Sequence, residues 1–295
     1  MMQIIVDLLS LNVGLYGQAD GLIVNSQEFS CCNGFVAPAA NLEKISCQIK
    51  NLGKIAILNV DQIIAESALE SLEAYLEKAD PLFDYFIYSD MAVYSYFRET
   101  NQLAKLIYNA KTIIASSYDL AYYNHQQVKC FLNNELSFAE ITEIAAKEKF
   151  SFEVYGYHQI FYSERELLNL YQEFSGKDDN LHGEVLLLKE ELRNDLYKIY
   201  QGLAGTFIYT PYIYAMFEEI LGLKDSLDFI RINGIFLSET TVLQVLNCYV
   251  ELVAGERVSR EDLCRINENI SGGFLENKSV LLKAELDHNS KKAGS

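Results

Sequence analysis

Short apolar runs alternate along the chain with segments of helical spacing. Residues 3–9 (QIIVDLL) and 19–25 read as strands, and residues 42–50 as a helix before a strand at 54–61. Leu69, Leu72 and Leu76 lie on one face of a helix over 66–78, which Pro81 stops. A strand over 84–90 (DYFIYSD) leads into a short helix over 91–99. Strands over 105–110 and 129–133 flank a segment around 117–125. Ser137 precedes Glu140 by three residues, the spacing of a capping box, so a helix runs from there through Lys147. Residues 150–156 form the next strand and 163–173 the next helix. Residues 183–209, with LLLKEEL and YKIYQGLAGTFIYT, then break the alternation and read as an inserted β-hairpin. After Pro211 a helix is predicted to Leu221, then a buried strand over 228–234 (DFIRING) and a long helix over 238–252. Beyond Gly255 the pattern is polar and weak, and the terminal HNSKKAGS reads as disordered.

Eight strands alternating with helices argue for parallel β-structure with helical crossovers, an α/β class. The count fits a TIM-like (β/α)8 barrel, distorted by the insertion, over residues 1–254, with 255–295 as a polar C-terminal extension. An open doubly wound sheet is the alternative, although neither G-x-G-x-x-G nor G-x-x-x-x-G-K-[ST] occurs to support it. In a barrel the chemistry gathers at the C-terminal strand ends. Those ends are Asn25, Asn59, Ser89, Asp90, Asn109, Asn133, Asn134, Glu135, Tyr155, Arg231 and Asn233, rich in amides and poor in acid–base pairs. Amides orient ligands without shuttling protons; they also cap helices.

Charge narrows the partners. A formal net charge of −17, with Lys and Arg scattered, opposes autonomous binding to nucleic acid and leaves RNA contact to a basic partner. No apolar run is long enough to span a membrane, and Asp7 interrupts the first apolar stretch, so no membrane segment or signal peptide is expected. The six cysteines (Cys31, Cys32, Cys47, Cys130, Cys248, Cys264) form no C-x-x-C pair, which fits a reducing, cytoplasmic setting. Neither H-E-x-x-H nor zinc-ligand spacing is present.

The stretch FEVYGYHQIFYSERELLNLY sets Gly156, His158, Tyr162, Ser163 and Arg165 just after a strand. It resembles the U-32 peptidase (collagenase-like) family, whose members carry a Tyr-Gly or His-Gly, a Cys, Tyr-Ser-x-Arg and often another Cys. Here the matching residues are Tyr155-Gly156 and Tyr162-Ser163-Glu164-Arg165. LEKISCQIKNLGKIAILNVD, FDYFIYSDMAVY, LNNELSFAEITEI and LKDSLDFIRINGIF resemble further family segments in the same order. The departures are coordinated. The resemblance sets iron–sulfur cysteines at Gln159 and Glu166 and further ones near 178–185, where this chain has none. It sets the family's late Glu and Arg at Asn233 and Ile235, and an Arg at Asn134, while Glu135 is kept. Gln and Glu are not cluster ligands, so no cofactor and no metal are expected.

The resemblance implies the short, cysteine-poor paralogue of a bacterial pair that hydroxylates tRNA uridine. Such a chain would be an accessory subunit of a longer cysteine-bearing paralogue, meeting tRNA through the complex. Two other readings stay open: an independent peptidase or hydrolase using His158 and Ser163, and a small-anion-binding barrel without chemistry. The residues expected to contact a ligand are Arg165, Tyr162, Tyr155, Asn59, Glu135 and Asn233. Arg165 offers a fork for carboxylate or phosphate, or pairs with Glu164, Glu166 or Glu173 on its own helix.

Overall fold

The apolar runs become strands buried on both faces. The computed structural model describes residues 2–276 except 32–33, 112, 177–180, 182, 190 and 192–194. In its first half come strands β1 (Gln3–Asp7), β2 (Gly21–Asn25), β3 (Ile55–Val60), β4 (Tyr85–Tyr88), β5 (Leu106–Tyr108), β6 (Lys129–Cys130) and β7 (Phe150–Gly156). The helices among them are α1 (Leu42–Asn51), α2 (Leu69–Ala79), α3 (Met91–Glu99), α4 (Ser117–Asn124) and α5 (Phe138–Ala145). Then follow β8 (Gln159–Ser163), α6 (Leu167–Ser175), β9 (Val185–Lys189), β10 (Leu196–Gly202), β11 (Gly205–Tyr209), β12 (Ile213–Ala215), β13 (Leu227–Ile232), α7 (Glu239–Ala254), α8 (Arg260–Ile266) and β14 (Ile270–Ser271).

The large sheet has the order β14-β12-β7-β13-β1-β2-β3-β4-β5-β6. From β7 through β13 to β6 every pairing is parallel, as the strand–helix alternation predicts. The two ends of that run meet: Phe131 bridges Ser151 in parallel, and Leu132 N donates to Ser151 O at 2.9 Å.

Residues of alternate parity serve two separate cores. One face of each strand (Val6, Leu22, Leu58, Phe86, Phe152, Ile232) joins the main core under the helices. The other face carries a second apolar cluster of Ile5, Ile23, Ile57, Ile87, Ile107, Phe131 and Phe229. Two residues further along each strand the same face turns polar, with Asp7, Asn25, Asn59, Asn109, Asn133 and Arg231 all buried. The period-2 pattern therefore stacks a polar layer directly on an isoleucine floor.

The helices begin where the sequence sets caps. Ser137 N donates to Glu140 Oε2 at 2.9 Å in the expected capping box, and Ser116–Asp119 forms a second. Ser238 accepts from Thr241 N, and α7 ends on Gly255 with φ 80°. No described helix is long and apolar enough to cross a membrane.

Three expectations change. Residues 183–209 are more than a hairpin: β8, β11, β10 and β9 make a separate antiparallel sheet in that order. β8 occupies residues assigned by sequence to a loop and to the start of a helix; Gly205, with φ +118°, lets β11 approach it where a Cβ would sit 2.2 Å from Ser163 O. Residues after Pro211 form β12, antiparallel to β7, and a 3-10 turn over Glu218–Gly222 instead of a helix. The reason is burial: Ile213 to Phe217 are all inside, leaving no polar helix face. The segment after Gly255 adds α8, started by the Ser259–Asp262 capping box, and β14, paired with β12. Leu275 is buried and its carbonyl accepts from Phe138 N at 2.9 Å. The terminal HNSKKAGS lies outside the described residues.

Candidate functional site

Three buried charges organise the C-terminal ends of the central strands. Asp7 ends β1, Glu153 lies within β7 and Arg231 within β13, each less than a tenth exposed. Arg231 Nη2 donates to Asp7 Oδ1 at 2.8 Å and Oδ2 at 3.1 Å, and Nη1 is 3.5 Å from Glu153 Oε2. Gly234 N donates to Asp7 Oδ2 at 3.1 Å, and Asn233 Nδ2 to Glu153 Oε1 at 2.9 Å. Burial pushes the Glu153 carboxyl up, but Arg231, His158, Lys111 and the Asn233 hydrogen bond outweigh it and hold the group below its ordinary range. Burial pushes Asp7 up against the pull of Arg231 and Gly234. Burial alone would lower Arg231; its two carboxylates instead hold it above its ordinary value.

His158 stands beside this group. Its Nε2 is 3.6 Å from Glu153 Oε1, and its ring lies 4.4 Å from that of Tyr214. Burial pushes its pKa down to about 4, with Glu153 opposing, so the imidazole is neutral near neutral pH. Its backbone is clamped to Thr210: His158 N donates to Thr210 Oγ1 at 3.2 Å, and Thr210 N to His158 O at 2.9 Å.

The amides divide by role. Asn59 Nδ2 donates to Asn25 Oδ1 at 2.8 Å. Asn109, Asn133 and Asn233 each accept from the N–H two residues on, at Lys111, Glu135 and Ile235. These are Asx turns that shape the loops. The helix caps are Asp90, Ser116, Ser137, Ser238 and Ser259 instead. Gly156, at φ +139°, leaves room for the Asn233 turn: a Cβ there would meet Asn233 Cβ at 2.7 Å and its carbonyl oxygen at 2.8 Å.

Together these residues line a cavity of about 70 Å³, with Asp7, Asn59, Glu153, His158, Arg231 and Asn233 among its walls. A second space of about 400 Å³ adjoins it, sharing Cys31, Asp61, Lys111, Gln159 and Ile160. Its other walls include Tyr108, Ile113, Phe161, Tyr162 and Phe207. Lys111 Nζ lies 3.6 Å from Asp61 Oδ2, and Cys31 N donates to Asp61 Oδ1 at 2.8 Å.

The residues singled out from sequence separate accordingly. His158, Asn59, Asn233 and Glu135 line the inner cavity, and Tyr162 the outer one, its ring 5.0 Å from Phe207 and its hydroxyl donating to Ala204 O. Tyr155 is buried in the main core, 6.4 Å from the Tyr249 ring. Ser163 Oγ accepts from Arg165 N at 3.2 Å; neither residue lines these cavities, and Arg165 is exposed. Asp7 and Glu153 escape sequence reasoning as site residues. The signal for both is one charged residue on the inward parity of an otherwise apolar strand.

The profile of peptidase family U32 matches residues 18–274, and the chain belongs to that family. The tRNA hydroxylation protein P2 of Bacillus subtilis (strain 168) is 25% identical over 194 residues, which cover 63% of this chain and 60% of that protein. The match thus spans less than two thirds of the relative's length. Among solved structures, the U32 peptidase Mk0906 superposes with a TM-score of 0.48 at 13% identity, covering 79% of this chain and 94% of that one. A chitinase from Chromobacterium violaceum ATCC 12472 gives 0.39 at 11% identity, covering 84% and 98%.

The described thiols do not gather as an iron–sulfur cluster requires. Gln159 begins β8 and Glu166 precedes α6, where the family resemblance expects cysteines. Cys130 and Cys248 are buried in the main core, Cys47 and Cys264 are exposed, and Cys31 alone among described thiols lines the cavities. No group of three or more metal-ligating side chains occurs among the described residues. Residues 178–185, expected from the resemblance to lack ligands, lie partly outside them.

Proposed function

We propose that this chain acts in tRNA modification, as the subunit that supports a cysteine-bearing U32 chain in hydroxylating wobble uridine. The alignment with the tRNA hydroxylation protein P2 carries this reading. The accessory role is supported by Gln159 and Glu166 at the expected ligand positions, since neither side chain replaces a thiolate. We also read the eight parallel strands as a closed barrel, on the Phe131–Ser151 bridge and on the separate inward cluster of isoleucines.

A partner has a surface to meet. On α6, Leu170, Tyr171 and Phe174 form one exposed stripe, and the sheet beside it exposes Val185, Leu187, Leu188 and Leu196. Glu164, Glu166, Glu173, Glu184 and Asp195 are exposed on the same segments, against the cations Arg165 and Lys189, so the matching surface would be apolar with a net basic rim. Such a partner would also bring the positive charge that RNA contact requires.

A hydrolytic reading through Ser163 and His158 has little to support it. Ser163 is engaged by Arg165 N–H outside the cavities, while His158 faces Glu153 inside. Nucleophile and base would need to meet.

The test joins genetics to biochemistry. Deleting the gene is expected to remove hydroxylated wobble uridine from tRNA digests analysed by mass spectrometry. Co-expression with the cysteine-bearing U32 chain of the same genome should give a stable complex, which Phe174→Glu with Leu187→Glu dissociates. Unchanged hydroxylation in the deletion strain overturns the reading. Anaerobically purified chain should be colourless; about four iron atoms per chain, as a thiolate-held cluster gives, would overturn the cluster-free assignment.

A further inference from the structure

The adjoining cavities differ in character, and the difference defines a ligand. The residues of the inner cavity include buried polar atoms with no hydrogen-bond partner: Arg231 Nε, Asn59 Oδ1, and Arg231 Nη1 and His158 Nε2, which have only the longer ion-pair contacts of 3.5 and 3.6 Å to Glu153. They belong to side chains more than nine-tenths buried, and all line the same 70 Å³ space. Donors and acceptors are both represented, so a group that both gives and takes hydrogen bonds satisfies them. The outer space is walled by Tyr108, Ile113, Phe161, Tyr162 and Phe207, which suits a ring or an aliphatic body.

Charge then selects among such ligands. Each cation of the inner cavity already has its carboxylate: Arg231 faces Asp7 and Glu153, and Lys111 faces Asp61. His158 is uncharged. Whether or not Asp7 carries a proton, the cavity keeps no surplus positive charge, and Glu153 remains an anion at its wall. A carboxylate or phosphate would enter beside that anion in a water-poor space. We infer that the joined cavities bind an uncharged ligand with an amide-like head, seated among Arg231, His158 and Asn59, and an aromatic or apolar body in the outer space. The same geometry discriminates against the corresponding carboxylate, which runs against an anion-binding barrel. This inference does not rest on the tRNA reading and survives its failure.

Benzamide and benzoate make a matched pair, equal in shape and different in charge. Saturation-transfer NMR on the full chain at millimolar ligand should show benzamide contacts, and titration should place benzoate at least about tenfold weaker, the order expected for one extra like charge nearby. Phe161→Ala, at a partly exposed wall residue, should weaken benzamide without altering the fold seen by circular dichroism. Asn59→Leu, which keeps the branched outline of the side chain but removes its polar atoms, should abolish head-group binding. Benzoate binding as tightly as benzamide overturns the inference. So does the absence of transfer to either compound, as does benzamide binding unchanged in Phe161→Ala.

Discussion

Burial of a neutral histidine makes the stability of this chain depend on pH. His158 is only 7% exposed, and its pKa is pushed down to about 4, against an ordinary value of 6.5. In the unfolded chain it regains the ordinary value. Below pH 6.5 the unfolded state therefore binds a proton that the folded state refuses, and stability falls with falling pH. The contribution is complete above pH 6.5 and exhausted near pH 4, a span of about 3 kcal/mol. The chain's isoelectric point is about 4.7, so the useful range stops short of the whole window. From about pH 7.5 to about pH 5.5 the loss assigned to His158 is roughly 1 kcal/mol by the same linkage. Glu153, the neighbouring carboxylate, is held below its ordinary range and titrates beneath this interval. Arg231, held above its ordinary value by its two carboxylates, stays charged throughout. Urea unfolding of the native chain and of His158→Asn at both pH values measures the effect. The difference in stability between the two chains should change by that amount across the interval, since Asn does not titrate. Parallel pH profiles would refute the reasoning, whatever the variant's absolute stability.

Three other outcomes follow from the same contacts. Arg231→Met leaves Asp7 and Glu153 buried without their cation and should cost about 3–5 kcal/mol in urea unfolding; Lys129→Met, which breaks the partly exposed Lys129–Asp228 pair at 3.3 Å, should cost less than about 1 kcal/mol. Gly156→Ala forces a Cβ into Asn233 and should destabilise by more than about 1–3 kcal/mol. Gly53→Ala, at φ +69° with nothing within 4 Å, should cost only about 1 kcal/mol, and equal losses at the two glycines would remove the steric argument. Phe174→Glu and Leu187→Glu should each leave the thermal midpoint of the isolated chain nearly unchanged, because both side chains are exposed; a large drop would place them in its core instead.

Much of the frame was legible because its strands are short, apolar and evenly interrupted. The amide-rich strand ends stood out for the same reason: Asn25, Asn59, Asn109, Asn133 and Asn233 each close an apolar run. The capping box at Ser137 is local chemistry and needed no tertiary information. What was hidden depends on distance or on burial. Asp7 and Arg231 are 224 residues apart, and nothing local announces that they meet. Residues 213–217 have the composition of a helix or a strand, and only burial on every side decides for the strand and turn. β8 is Gln-Ile-Phe-Tyr-Ser, whose large side chains remain partly exposed, so its pairing with β11 leaves little alternation to detect. The motif Tyr162-Ser163-Glu164-Arg165 drew notice as chemistry, yet its Ser and Arg lie outside the cavities, at the end of β8 and before α6.

That placement has a consequence for how such a chain changes over time. Gln159 and Glu166 sit on the small antiparallel sheet and at its helix, while the isoleucine floor and the Asp7–Arg231–Glu153 network belong to the parallel strands. Gln159 lines the inner cavity, but neither it nor Glu166 is hydrogen-bonded or ion-paired to Asp7, Glu153 or Arg231. Side chains on β8 and at the start of α6 can therefore be exchanged one at a time, each intermediate still folding on the parallel strands, so that chains of one architecture diverge in the chemistry of this edge.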